Sequence, residues 1–353
     1  AVINVNVTHG TCDRERCRRC CKTSRCDRYR IMEDELMGWG YVCVLYSFCL
    51  FLHLVLPPWS SVNGYACDSH SGKVLQYRYN GIVVLCVVVA TVASCLWFPS
   101  FPSLPFLQPD VPTLHFWAAA RASCFLGVAI SAALYLRGKN KLANNLIDKG
   151  RSCVVINHAR SKAASDPTEF NGRSEAEHFY CGFEWNPRIL NNMVDIKMFN
   201  YLVGAVSLAC NVLSAIYVHV QHRGDGTMSN AMMAYSSAML YFITEYMWFE
   251  NVHVFTYDIF RERTGFKMCW GCFCWYPFFY PIGVWCLVDA TTDISVLSAV
   301  LCVLLYMTGY VLTRGANLQK FYWRTQRRET FLFITNMCVK GSDGECGCGK
   351  KAH

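Results

Sequence analysis

Long apolar runs separated by short polar segments dominate this chain. Seven runs are long enough to cross a bilayer, because about 20 apolar residues span its hydrocarbon core. They lie at about 36–56, 81–98, 114–136, 199–220, 228–249, 268–288 and 292–313. Pro277 and Pro281 predict that the run at 268–288 is a kinked or broken helix. The pattern therefore predicts an all-α fold, a polytopic transmembrane helical bundle with about seven or eight spans.

Composition and charge agree with a membrane class. Of 353 residues, 53% are hydrophobic and 16% are charged, which is typical of polytopic membrane proteins. The net charge of +8 does not indicate nucleic-acid binding, because the cations lie in loops beside the spans and suit anionic headgroups. Basic residues place the loop 137–178 and the tail from Arg314 on the cytosolic side. Three spans precede that loop, which would put the basic residues 1–35 in the lumen, so the orientation of the N-terminus stays open.

The chain divides into three parts by composition. Residues 1–35 are basic and hold five cysteines without two clean CxxC pairs, so a disordered basic tail is favoured over a zinc knuckle. Residues 36–328 form the predicted transmembrane domain, and residues 329–353 form a tail. Half of the 22 cysteines lie inside apolar runs, where cysteine is a small buried hydrophobe.

Two polar motifs stand at the ends of apolar runs. One is Gly182 to Ile189 with Asp195 and Lys197 after it, and the other is Arg314 to Lys320 with Arg324 after it. Charged groups at the membrane boundary or inside a helical bundle are unfavourable in free energy, so they usually mark a ligand site. The chain has no Walker, GxSxG, HExxH or GxGxxG motif, so any nicotinamide cofactor is not held by a Rossmann domain.

These motifs resemble the sterol reductase family, membrane enzymes that reduce sterol double bonds with NADPH and include the lamin B receptor as a relative. The first block matches G-x-E-x-N-P-R-I and D-x-K-x-F at Gly182, Glu184, Asn186, Pro187, Arg188, Ile189, Asp195, Lys197 and Phe199. A second block is similar at Trp248, Glu250, Thr256, Asp258, Ile259, Gly265, Phe266, Trp270, Gly271, Trp275, Pro277 and Tyr280. A third matches N-x-Q-K plus Arg at Asn317, Gln319, Lys320 and Arg324, and Tyr77 to Gly81 resembles the segment that opens a span.

The resemblance leaves the reduced double bond open. Phe183 and Trp185 beside the first motif, and Trp270-Gly271, are closer to the Δ7 reductases. Arg314 to Asn317 is closer to some Δ14 members. We expect a Δ7-sterol reductase, with Δ14, C24 side-chain and non-catalytic sterol-binding alternatives behind it. An unrelated transporter is disfavoured, since polar residues along the spans and inverted repeats are not evident.

Two departures from the family pattern matter. Cys272 stands where the family usually has Asp, which weakens a proton-relay role there. The family pattern also continues beyond residue 353, so we expect a C-terminally incomplete chain, with about ten spans in the complete protein.

The resemblance implies a division of roles. Asn317, Gln319, Lys320 and Arg324 would bind NADPH. Lys320 and Arg324 are four residues apart on one helix face and suit phosphates. Ordinary flanking charge is the alternative interpretation. Reduction adds a proton to one carbon and a hydride to the resulting cation, and a carboxyl kept neutral by an apolar pocket suits the first step. The candidate catalytic residues are Glu250, Asp258 and Tyr280, with solvated helix caps as the alternative for the two acids.

The remaining candidates are substrate-binding residues and thiols. Glu184, Asn186, Arg188 and Trp275 would contact the substrate. Pro187 predicts a helix start, and an ion pair between Glu184 and Arg188 that pins the loop is the alternative role. Cys269, Cys272 and Cys274 are interpreted as buried thiols, and no metal site is predicted. The expected partners are a sterol from the bilayer and membrane lipids, without nucleic acid, in a multi-pass protein of the endoplasmic reticulum membrane. Protein partners are unknown.

Overall fold

The computed structural model describes residues 24–67, 74–97, 105–143, 151–156, 159–164, 174–260, 262–326, 330–331 and 334–335. Numbered in chain order, the long helices are α1 Ser24–Val55, α2 Gly81–Trp97, α4 Phe116–Ala143, α6 Ile196–Arg223, α7 Asn230–Trp248 and α12 Val296–Gln326. Short helices are α3 Val111–Leu114, α5 Glu175–Cys181, α8 Glu250–His253, α9 Tyr257–Phe260, α10 Phe266–Trp270 and α11 Ile282–Cys286. A 3₁₀ turn at Pro105–Leu107 and a π-helix at Gly271–Phe279 complete the helical elements of the described residues.

The mostly helical prediction is confirmed, while the number of spans is not. Each of the seven apolar runs falls on helix. Four helices of the described part are long and apolar enough to cross a membrane, at 30–55, 116–142, 196–223 and 296–322. The apolar helix at 81–95 is shorter than this length. The two remaining runs are covered by α7 and by the broken segment around the π-helix.

Helix α6 forms the centre of the bundle. It contacts α1, α2, α7 and the π-helix. Leu202, Val206, Leu208 and Val212 on α6 are at most 2% exposed. Helix α12 lies at the edge, where it packs on α7 and leaves a row of leucines exposed. The helix ends follow ordinary capping chemistry: Asp195 caps α6 by accepting from the Met198 N–H, and Gly224 ends it with a left-handed φ of 71°.

The predicted break at 268–288 is confirmed. Helix α10 passes into the π-helix, and α11 begins after Pro281. Pro277 lacks an N–H, so the carbonyl of Phe273 loses the donor that an α-helix would supply. The hydroxyls of Tyr46 and Ser123 donate to that carbonyl instead. Neighbouring helices thus satisfy the backbone that the proline frees.

The segment between the first two apolar runs and the predicted loop 137–178 both contain strands, which corrects the all-helical prediction. Strands β1 Ser60–Cys67 and β2 Val74–Tyr79 form an antiparallel pair, and β3 Arg151–Ile156 and β4 Ala159–Ala164 form another. The four join in the order β2-β1-β3-β4. The missed signal is the alternation in β2, where Tyr77 and Tyr79 are buried and Gln76 is exposed. Two shorter pairs are β5 Arg188–Ile189 with β6 Val194–Asp195, and β7 Thr330–Phe331 with β8 Ile334–Thr335.

The three-part division stays a prediction. The cysteine-rich residues 1–23 and most of the tail lie outside the described residues. Helix α1 runs without interruption across the predicted boundary between residues 35 and 36.

Candidate functional site

The first and second motif blocks meet the Tyr77–Gly81 segment at a place where backbone packs on backbone. We call residues 77–81, 182–197, 250–260 and 262–265 the motif junction. Gly182 has a φ of +88°, and a Cβ there would lie 2.2 Å from the carbonyl oxygen of Thr264. A Cβ on Gly265 would lie 2.4 Å from the nitrogen of Gly182. Both glycines belong to the sequence motifs. They lie against each other at a contact that has no room for a larger residue.

Charged groups of the first motif hold this junction together. Glu184 pairs with Arg137 at 3.0 Å and with Lys141 at 2.5 Å, not with Arg188. Arg188 lies on β5, where it pairs with Asp195 at 3.4 Å across the hairpin. The predicted helix start at Pro187 and the Glu184–Arg188 pair are therefore wrong, because the chain turns into a short strand pair instead.

Tyr77 ties β2 to the same motif. Its hydroxyl donates to Asn186 Oδ1 at 3.3 Å, and its ring lies 5.0 Å below the guanidinium of Arg188. The ring is 1% exposed. Asn186 and Arg188 thus contact protein groups in the described structure, and their substrate-binding role stays a prediction, as does that of Glu184.

Lys197 is a buried cation on α6 that contacts the second motif block, the one from Trp248 to Tyr280. Its side chain is fully buried, and its ammonium donates to the carbonyls of Asp258, Ile259 and Glu262, at 3.3 Å and 3.0 Å for the first two. A cation at the C-terminal carbonyls of a helix is favourable. Tyr201 donates to Asp258 Oδ2 at 3.1 Å, so Asp258 is held on this side of α6.

A cavity of about 600 Å³ lies between α7 and α12. Its volume falls within the range of small-molecule sites. The lining runs along α12 from Cys302 to Asn317, about 22 Å at 1.5 Å per residue. One end is apolar and aromatic, with Leu305, Tyr306 and Phe242, and the other is polar. The cavity therefore suits an elongated apolar ligand with a polar group at one end.

The polar end is built around an ion pair between Glu245 and Arg314. Their side chains are 9% and 11% exposed. The Arg314 guanidinium also lies 4.8 Å from the ring of Phe249. Ionisable residues inside a bundle are costly and mark functional sites. Sequence reasoning missed Glu245 as a site residue, although one carboxylate inside an otherwise apolar run was a usable signal.

His253 closes the same end of the cavity. Its ring stacks on Tyr246 with centroids 3.6 Å apart. Burial lowers the pKa of His253 to about 3, against a hydrogen bond to the Tyr246 backbone, so the imidazole is neutral at physiological pH. Within the described structure, His253 Nε2 and the Tyr306 hydroxyl are buried without a hydrogen-bond partner. Unpartnered buried polar atoms beside a cavity are consistent with a ligand that supplies the missing bonds.

The predicted cofactor residues continue from this end. Asn317 lines the cavity, and the exposed Lys320 follows one turn later on α12. The helix includes position 324, so the predicted i,i+4 spacing of Lys320 and Arg324 on one helix is confirmed. The side chain of Arg324 lies outside the described part, and Gln319 is engaged in a contact of its own.

The four other predicted residues do not come together. Glu250 is 8% exposed and accepts from the Gly81 N–H at 2.9 Å, in a separate pocket. It is therefore no solvated cap, and burial raises its pKa to about 7 against that hydrogen bond. Tyr280 is 44% exposed, and its carbonyl accepts from Tyr235. Trp275 is 47% exposed and stacks on Phe279. Neither these three nor Asp258 line the α7–α12 cavity, and their catalytic or binding roles stay predictions.

The comparisons with known proteins identify the family. The model of the ergosterol biosynthesis ERG4/ERG24 family matches residues 11–345. The chain belongs to this family. Together with the four apolar helices, this makes it a multi-pass membrane protein. The resemblance read from the motifs is confirmed.

Three relatives carry two different reductase names. The chain is 26% identical over 284 residues to the Delta(14)-sterol reductase of Arabidopsis thaliana, covering 80% of this chain and 68% of the relative. It is 29% identical to the 7-dehydrocholesterol reductase of Arabidopsis thaliana, covering 69% of this chain and 49% of the relative. It is 26% identical to the Delta(14)-sterol reductase LBR of Gallus gallus, covering 83% of this chain and 41% of the relative. The chain thus spans about half the length of the last two relatives.

Proposed function

We propose that the protein is an NADPH-dependent oxidoreductase of sterol biosynthesis that reduces a ring double bond. The Δ7 bond is the first candidate. The observation that carries this proposal is the α7–α12 cavity, which is long, mostly apolar and polar at the end where the third motif begins. A sterol drawn laterally from the bilayer suits the apolar length. The family and the two kinds of relative support reduction of a sterol.

The residues present fit a nicotinamide dinucleotide. Asn317 at the cavity rim and the cations Lys320 and Arg324 would hold it, since phosphates are bound by Lys and Arg at helix surfaces. When bound, NADPH supplies the hydride. The protein must then supply a dry pocket, an orientation and a proton.

The cavity offers groups for the remaining chemistry. A carbocation that forms on the sterol would face the rings of Tyr246, Tyr306 and Tyr310, whose π-faces stabilise positive charge. The unpartnered Tyr306 hydroxyl is a candidate proton donor at the apolar end, in addition to Glu250, Asp258 and Tyr280. The Glu245–Arg314 pair fixes charge at the polar end, where it would orient the cofactor rather than react.

Δ14 reduction is the second candidate. It is favoured by Arg314 to Asn317, which is closer to some Δ14 members, and by the greater share of the chain that matches the plant Δ14 relative. We place the protein in the endoplasmic reticulum membrane, with the third motif toward the cytosol, because the basic residues cluster there.

The test is a sterol profile. The complete reading frame is expressed in a sterol-reductase-deficient yeast, and its sterols are measured by mass spectrometry. Loss of Δ7 unsaturation supports the proposal, and rescue of a Δ14 block replaces it with the second candidate. An unchanged profile, with the protein present in the membrane, overturns both.

A further inference from the structure

A second pocket lies where β1, β2, α2 and the α7–α8 turn meet. Its volume is about 240 Å³, and it shares no lining residue with the α7–α12 cavity. Trp59, Tyr79, Trp248 and Glu250 line it among others. Its lining includes the start of α2 and the end of α7. Because these are the ends of apolar helices, we expect the pocket to lie near the layer of lipid headgroups.

Two tryptophans form the outer wall of this pocket. The ring centroids of Trp59 and Trp248 are 5.4 Å apart at 51°, and the residues are 66% and 55% exposed. Packing of the core does not require such a pair, because both residues are more than half exposed. Large amphipathic rings are enriched at the level of lipid headgroups.

A carboxyl group lies at the base of the same pocket. Glu250 is 8% exposed, and one oxygen accepts from the Gly81 N–H at 2.9 Å. Within the described residues no cationic side chain forms an ion pair with it. A Cβ on Gly81 would lie 2.3 Å from Glu250 Oε1, so the glycine leaves room for the carboxyl. The buried acid is thus held in place by a backbone N–H but has no cation.

Aromatic faces with a carboxyl behind them recognise one kind of ligand best. Trp faces attract quaternary ammonium groups through cation–π contact, and a cation bound beside the carboxyl would favour its ionised form and so add charge complementarity. A primary ammonium prefers strong hydrogen bonds to water and gains less from aromatic walls. A pocket of this size has room for a methylated ammonium head but not for a whole lipid.

We propose that Trp59, Trp248 and Glu250 form a binding site for a quaternary ammonium group, supplied by the headgroup of phosphatidylcholine. The pocket is separate from the cavity assigned to the sterol, and of its three proposed ligand residues only Glu250 is also a candidate proton donor of the reductase. It would anchor the β1–β2 pair and the α7–α8 turn to the membrane surface.

Native mass spectrometry of the protein in a choline-free detergent tests the proposal. Phosphatidylcholine and phosphatidylethanolamine of matched chains compete for binding to the wild type, to a Trp59→Leu, Trp248→Leu variant and to Glu250→Gln. The wild type should prefer phosphatidylcholine about threefold to thirtyfold. The double variant should lose the preference, and Glu250→Gln should reduce it. Trp117→Leu, which removes an exposed tryptophan of α4, is the matched control and should keep it.

The source of the ammonium group and the integrity of the fold are checked separately. Tetramethylammonium chloride should displace phosphatidylcholine if the site binds the ammonium group of the lipid. Thermal unfolding of each variant shows that it is folded. Equal binding of the two lipids to the wild type, or a preference that survives in the folded double variant, overturns the proposal. Binding of tetramethylammonium without any phosphatidylcholine preference overturns the assignment to a lipid.

Discussion

Replacing Glu250 by glutamine should change how the stability of the protein depends on pH. Burial raises the pKa of Glu250 from 4.5 to about 7 in the folded protein. The folded state therefore prefers the protonated carboxyl. The resulting stabilisation is fully present below pH ~4.5 and is lost as the pH rises through about 7. Glutamine keeps an oxygen that can accept from the Gly81 N–H but does not titrate.

The size of the effect follows from the pKa difference. A pKa change from 4.5 to about 7 corresponds to about 3 kcal/mol at about 1.4 kcal/mol per unit. Between pH 5 and 8.5 the wild type should lose most of this free energy of unfolding relative to Glu250→Gln. In a protein of this size, that is a difference of several degrees in Tm. Buried histidines and tyrosines titrate equally in both proteins, so the comparison isolates position 250.

The assay uses the protein's own thiols. Cys49, Cys210 and Cys269 are buried and unpaired, so a thiol-reactive dye reports their exposure on heating in detergent. Glu33→Gln, which changes an exposed carboxyl of α1, is the control and should leave the wild-type pH dependence intact. If wild type and Glu250→Gln change in parallel from pH 5 to 8.5, the carboxyl is not buried as described and the reasoning fails.

Three further variants test the junction and the cavity. Gly182→Ala should destabilise the protein by about 3 kcal/mol, because a Cβ clashes at a φ of +88°. Gly271→Ala is the control, since nothing lies within 4 Å of its Cβ position. Equal Tm values for the two variants would refute the close packing. Arg314→Ala should lower the free energy of unfolding by about 3–5 kcal/mol, because it leaves the Glu245 carboxylate unpaired. Adding Glu245→Gln should restore part of the loss in Tm. No restoration would contradict a buried ion pair. Tyr306→Phe should lower kcat about 100-fold with little change in KM, if its hydroxyl donates the proton. An unchanged kcat would exclude that role.

Much of the fold could be predicted because long apolar runs dictate helices. The break at Pro277 followed from the missing N–H of proline. The four-stranded sheet could not be predicted, because its strands are short and pair across long distances in sequence, as Ala66 does with Val154. Local patterns do not specify which distant strand a segment meets.

The candidate site was predicted in part, for a similar reason. Motif resemblance led to Asn317, which lines the cavity. It also selected Asn186 and Arg188, which contact Tyr77 and Asp195, and their substrate-binding role stays a prediction. A sequence motif does not distinguish a residue that binds ligand from one that joins two segments. Tyr306 was missed because its significance comes from the cavity that α7 and α12 form together. Glu245 was missed although it is the one carboxylate in its apolar run.

The central claim is that the α7–α12 cavity holds the sterol that is reduced. Gly309 lines this cavity, and nothing lies within 4 Å of where its Cβ would be, so Gly309→Leu should place its side chain in the cavity. Gly315→Leu makes the same change on the same helix at a position that is equally open but does not line the cavity. Both are expressed from the complete reading frame in the sterol-reductase-deficient yeast. The account predicts that Gly315→Leu converts sterol as the wild type does and that Gly309→Leu, present in the membrane at equal amount, does not. Conversion by Gly309→Leu at the wild-type level would contradict it.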